Sequence, residues 1–116
     1  MAKFMFVFRG GAFVHPELSA ADVGAHLAKW HKWVGDLVKA GRTEPGGGPL
    51  HMEGKTLRGA QKTMTDGPFA EAKDVVTGNL IVLAASLDEA AELARGCPVF
   101  ELDGSVEVRP IRSMEA

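Results

Sequence analysis

A chain of 116 residues, 46% hydrophobic and 24% charged, has the size of a single domain, 1–116, that hides roughly two thirds of its extended surface on folding, and its composition excludes wholesale disorder. Its 13 basic and 15 acidic residues give a net charge of -2 without a basic stripe to neutralise phosphates, so direct nucleic-acid binding is not expected. No apolar run reaches the about 20 residues of a membrane span, no cleavage site follows Met1-Ala2-Lys3, and the lone Cys97 excludes an internal disulfide and a Cys-rich zinc site; a cytoplasmic protein is expected.

Residues 3–9 predict a strand with Phe4, Phe6 and Phe8 on one face and Met5 and Val7 on the other. Residues 10–17 read as a loop, after which Ser19 caps a helix from Ala20 to Ala40. Val23, Leu27, Trp30, Val34, Leu37 and Val38 fall on its apolar stripe, and Gly41 supplies the left-handed stop. The stretch Glu44-Pro45-Gly46-Gly47-Gly48-Pro49 reads as a loop, because its prolines lack donors and its glycines lose much entropy on ordering.

Residues 50–65 predict two short strands turning near Arg58-Gly59-Ala60, the second being Lys62 to Thr65. An irregular segment from Asp66 to Thr77 leads to an apolar strand over 78–85. Ser86-Leu87-Asp88-Glu89 then opens a short helix to Arg95, ended by Gly96 and Pro98. Val106, Val108 and Ile111 suggest a last strand, and Pro110 marks it as an edge.

This order predicts an α+β, ferredoxin-like antiparallel sheet with two helices on one face. The strands expected over 3–9 and 78–85 are apolar on both sides, so the other face also needs cover. In so small a chain a second subunit is the natural one, and a homodimer packed through its sheets is expected.

Asp66-Gly67-Pro68 has a conformational explanation, an Asx turn followed by a flexible and then a fixed residue. Alternatively Asp66 is a carboxylate at a pocket rim, tuned for proton transfer or for holding a ligand, with Phe69, Glu71 and Lys73 beside it. On the first helix His26 and Trp33 share one flank of the apolar stripe, with Trp30 between them and its centre. That flank either packs on the sheet or borders a cavity in which His26 acts as acid, base or hydrogen-bond donor. His31 falls on the opposite flank and is expected at the surface. His26 and His31 are wrongly spaced for a helical metal pair, and neither a metal site nor a cofactor is expected. Cys97 is expected to be buried as a small apolar residue, and the triple glycine lacks the Lys-Ser/Thr sequel of a phosphate loop.

With those residues placed, the chain resembles the YCII-related family in its DGPF-type branch. The resemblance rests on Lys3-Phe4-Met5, Trp30 and Trp33 before Ala40-Gly41, Thr65-Asp66-Gly67-Pro68-Phe69-Ala70-Glu71 with Lys73, Ser86-Leu87-Asp88-Glu89-Ala90, Gly96-Cys97-Pro98, and Val106 to Ile111. It implies a ferredoxin-like fold dimerising as an α/β barrel and a small-molecule pocket. It also implies a proton-transfer dyad in better-studied relatives, a histidine on the first helix with an aspartate just before the proline after the second. Here the histidine position falls at or near Trp30 and Cys97 replaces the aspartate, so that dyad is not carried over. Two functions follow as expectations. One is a proton-transfer enzyme using Asp66 or His26, with Trp30, Trp33, Phe69, Glu71 and Lys73 around the ligand. The other is a ligand sensor or protein-interaction module associated with sigma-factor-dependent transcription.

Overall fold

The computed structural model describes residues 1–67 and 71–113. Strand β1 spans Ala2–Arg9, helix α1 Ala20–Lys39, β2 Thr43–Pro49, β3 Lys55–Arg58, β4 Thr63–Asp66, β5 Val76–Ala84, α2 Leu87–Ala94 and β6 Ser105–Pro110. The order β2-β5-β1-β6 forms a four-stranded sheet in which every neighbouring pair is antiparallel. Hence β1 and β2 run parallel with β5 between them, and β5 and β6 run parallel with β1 between them: two split β-α-β units, interleaved. Among the described residues no helix is long and apolar enough to cross a membrane.

Both helices start and stop for local reasons. The Ser19 hydroxyl accepts from the Asp22 amide, and Ser86 accepts from the Glu89 amide, so each N-terminus has an orphan donor satisfied. At the end of α1, Gly41 adopts φ 70°, its N–H reaching the Val38 carbonyl while that of Arg42 reaches Leu37. These are the two bonds of a Schellman stop.

The core lies between the helices and one face of the sheet. Phe4, Phe6 and Phe8 are buried with Val82, Ala84, Ala90 and Ala94, and their alternates Met5 and Val7 are only half-buried on the other face. Phe6 stacks on Trp33 at 6.1 Å and Phe8 meets Trp30 edge-on at 4.9 Å, which fixes α1 on β1. The sequence stripe of α1 largely holds: Leu37 is buried and Val23, Leu27, Trp30 and Val34 are half-buried, joined on one flank by the buried His26 and half-buried Trp33, whereas Val38 is 57% exposed. Two indoles need more depth than a valine, so the flank that carries them packs on the sheet and Val38 is left outside.

The expected loop at 44–49 is a strand. Thr43 and Glu44 pair with Val82 and Ile81, then Gly47 to Pro49 resume with Leu80 to Gly78, leaving Pro45 and Gly46 as a bulge. An edge strand needs partners on one side only, so both prolines are tolerated there. Gly78 lets β2 come close, since a Cβ would stand 3.0 Å from the Gly48 carbonyl oxygen. The expected hairpin is present, with Leu57 opposite Met64, as a separate two-stranded sheet exposed along almost all of its length. Asp66 belongs to its second strand rather than to the irregular segment.

Phe6 is fully buried at the centre of the aromatic layer. Phe6→Ala should therefore lower the unfolding free energy by about 3–5 kcal/mol, read as a shifted urea midpoint with unchanged slope at fixed protein concentration. A loss below about 1 kcal/mol would show that this layer does not hold the fold.

Candidate functional site

A cavity of about 440 Å³ opens between α1 and the sheet, at the end where β1 leaves it. His26, Leu27, Trp30 and Val34 form the helical wall, with Phe8, Gly78 and Leu80 beneath and the segment from Gly10 to Phe13 at the rim. This is the size and largely apolar character of a small-molecule site. Its rim is tied down: Thr77, buried, donates its hydroxyl proton to the Gly10 carbonyl at 2.9 Å, and the Gly10 amide donates to the Val75 carbonyl at 3.1 Å.

His26 is the one buried titratable side chain in the wall, at 5% exposure. Trp30 Nε1 donates to its Nε2 at 2.9 Å, and its Nδ1 stands 3.3 Å from Glu101 Oε2. Lys29 Nζ donates to the other Glu101 oxygen at 2.7 Å. These contacts with Lys29 first, then His26, hold the Glu101 carboxyl below the usual carboxylate range. The site is thus assembled from one face of α1 and from the 3-10 turn Pro98–Leu102 that follows α2.

Four of the other sequence candidates, Asp66, Glu71, Lys73 and Trp33, stand outside this cavity. Asp66 is 85% exposed on β4, paired with Lys55 at 2.6 Å, and lines a separate shallow concavity with Glu53 and Gly67. Glu71 and Lys73 are exposed and face each other at 3.9 Å. Phe69 lies outside the described residues. Trp30 lines the cavity, but Trp33 packs against the core, donating to the Leu93 carbonyl at 3.3 Å and standing 3.0 Å from where a Cβ on Gly96 would lie. His31 is exposed, as its flank implied, yet borders the cavity mouth.

Sequence reasoning missed Glu101. Nothing in its neighbourhood marks it, because its partners are 75 and 72 residues away along the chain. The only pointer was the implied carboxylate near the proline after the second helix, and here it follows that proline instead of preceding it. Cys97, at the corresponding position, is buried and its thiol is pushed up to about 12 by desolvation, which makes it a packing residue. His15 serves structure: its two ring nitrogens meet Glu17 Oε1 at 2.8 Å and the Leu102 carbonyl at 3.0 Å, joining the rim loop to the turn that carries Glu101. Among the described residues no group of three His, Cys, Asp or Glu side chains could hold a metal ion.

The chain is similar to several known proteins. The family model described as "YCII-related domain" matches residues 15–115. An uncharacterized protein of Rhizobium meliloti (strain 1021) is 40% identical over 62 residues, a stretch that covers 53% of this chain but only 45% of that protein's length. Among solved structures, 5-chloro-2-hydroxyhydroquinone dehydrochlorinase from Burkholderia phenoliruptrix AC1100, in complex with 2,5-dihydroxybenzoquinone, aligns over 94% of this chain and 93% of its own, with a TM-score of 0.47 and 20% identity.

A carboxyl whose folded pKa is depressed adds stability above its unfolded pKa and loses it as pH falls through the folded value. Glu101→Gln should therefore be less stable than the parent protein near neutrality, by a small margin because Glu101 is half exposed. The margin should vanish in acid, below the ordinary carboxylate range. Denaturant midpoints measured across that range test this, and a margin that persisted in acid would remove Glu101 from the ionised network.

Proposed function

The chain belongs to the YCII-related family, and from that premise we propose that it is a proton-transfer enzyme acting on a small organic molecule held in the cavity beside α1. The observation that carries the reading is the buried His26 with both ring nitrogens engaged, one by Trp30 and the other by Glu101, at the wall of an apolar cavity. A ligand proton passes to Nε2, and the imidazolium formed is stabilised at Nδ1 by the carboxylate that Lys29 keeps ionised. A carboxylate behind an imidazole orients the ring and compensates its developing charge. In this reading the helix-one histidine and post-helix-two carboxylate implied by the family are rebuilt from other residues. His26 lies one turn before Trp30, and Glu101 follows Cys97-Pro98. Asp66, outside the cavity and paired with Lys55, belongs to the hairpin of a DGPF-type branch member.

The proposed working form is a cytoplasmic homodimer of ferredoxin-like subunits closed into an α/β barrel. What supports it is the sheet face away from the helices. Met5, Val7, Ile81 and Leu83 are half-buried there, flanked by the pairs Lys3–Glu44 at 3.0 Å and Arg9–Glu107 at 2.6 Å. An apolar centre with a charged border is the anatomy of a subunit interface. A second reading, a ligand sensor or a protein-interaction module associated with sigma-factor-dependent transcription, draws on Leu57 and Met64, which are 57% and 56% exposed on the hairpin. It predicts a stoichiometric protein partner retained from native extract and lost when both residues become Ser.

Titration of small acids, phenols and carbonyl compounds, followed through the two indole N–H signals, tests the first reading. Trp30 should shift saturably while Trp33, packed away from the cavity, stays still. Silence from Trp30 against every pool would count against the site. For a compound that is turned over, His26→Gln should lower kcat at least about 100-fold and Glu101→Gln should also slow it, whereas Asp66→Asn should stay within about twofold. For the dimer, Ile81→Asp should give a monomer mass by light scattering; a parent protein that is already monomeric across dilution sinks that part.

A further inference from the structure

We infer that Trp30 is a positioning residue that sets the tautomer of His26 and masks its Nε2 in the empty site, so that a ligand engaging this nitrogen must carry a hydrogen-bond donor. The inference rests on the reading of His26 as the proton carrier, but its physical core does not need a substrate. An indole nitrogen can only donate, so the 2.9 Å contact makes His26 Nε2 the acceptor. The ring proton then sits on Nδ1, where it points at Glu101 Oε2 at 3.3 Å. The opposite tautomer would oppose two N–H groups at one end and a lone pair and a carboxylate at the other. Its cost is high because the ring is 5% exposed and water cannot repair the mismatch.

Trp30 is itself held firmly enough to do this. Its ring meets Phe8 edge-on at 4.9 Å and an interplanar angle of 89°, and stands 5.7 Å from Trp33 at 80°. One helical turn separates Trp30 from His26, which brings the two side chains to one face of α1. When a ligand takes over Nε2, the indole N–H must leave, and the buried acceptor needs another donor in its place. The cavity as a whole is lined mostly by hydrocarbon. The favoured ligand class is therefore an uncharged, largely apolar molecule bearing one O–H or N–H that becomes the transferred or shared proton. Ethers, esters and other compounds with acceptors alone leave Trp30 on His26.

Proton–nitrogen correlation spectra of the isotope-labelled protein, assigned with His26→Gln, read the tautomer directly and without ligand. The parent protein should carry its proton on Nδ1. In Glu101→Gln, whose amide can either donate or accept at Nδ1, Trp30 should still hold the proton on Nδ1, and adding Trp30→Phe, which keeps a ring against Phe8 but removes the donor, should populate both tautomers. A parent ring protonated on Nε2, a Glu101→Gln ring that already populates both tautomers, or a double variant still held purely in the Nδ1–H form overturns the inference. The Trp33 indole signal reports whether the variant has folded. If it has not, the parent spectrum decides the tautomer, and a matched pair of probes decides the donor requirement. Benzyl alcohol should bind about tenfold more tightly than benzyl methyl ether and should alone displace the Trp30 signal. Equal affinities, or tighter binding of the ether, overturn the requirement. An Nδ1–H ring in a protein that turns over no compound would instead count against the enzyme reading and leave the positioning role standing.

Discussion

The aromatic layer between β1 and α1 is the constraint on which the rest of the molecule depends. Phe6 and Phe8 project from alternate positions of one strand, Trp30 and Trp33 from neighbouring positions of one helix, and the four rings meet at centroid distances of 4.9 to 6.4 Å. Large rigid rings gain from a restricted set of offset and edge-on geometries. They therefore fix the height and the rotation of the helix together, and everything borne by α1 inherits that placement.

One consequence is the cavity. Seating Trp33 deep, against Phe6 and the backbone at Leu93 and Gly96, leaves Trp30 nearer the end of the sheet and turns His26 inward. The sheet itself is glycine at Gly78 beneath this point, so space remains between the layers where another strand would fill it. A buried histidine over such a space is costly unless both nitrogens are satisfied. Trp30 on one side and Glu101 on the other meet that requirement, and no buried side-chain polar atom lacks a partner among the described residues. The groups that make His26 affordable are also those that would direct proton movement through it.

The two ends of the site are held by different means. The aromatic wall is part of the core, whereas Glu101 sits on a short 3-10 turn and is held by contacts with Lys29 and His26. That turn is further tied to the rim loop through His15 and the Leu102 carbonyl, and it closes with Gly104 packed against Val99 and the Arg9 carbonyl, where a Cβ would collide at 2.3 and 2.6 Å. The helix in the aromatic layer thus places the imidazole and the turn brings the carboxylate, as expected of sites built where a loop meets a scaffold.

Local chemistry was legible in the sequence by itself. Ser19 and Ser86 announce helix starts, Gly41 a stop, and alternating Phe residues a strand with one buried face, because capping, left-handed φ and side-chain alternation are decided within a few residues. The two helices, the antiparallel sheet and the burial of Cys97 followed from such signals. The tertiary structure decided what depends on partners distant in the chain. Glu44 to Pro49 became an edge strand because β5 offered a ladder to one side of it. Which flank of the α1 stripe was buried, that of His26 and Trp33 rather than that of Val38, was settled by the rings it packs against. Asp66 and His26, each plausible on its own, came to rest in separate concavities, while the carboxylate that did join His26 was one with no local signature. Residue type and spacing specify which chemistry a side chain can perform, but only packing across the fold determines which groups come within hydrogen-bonding distance of one another.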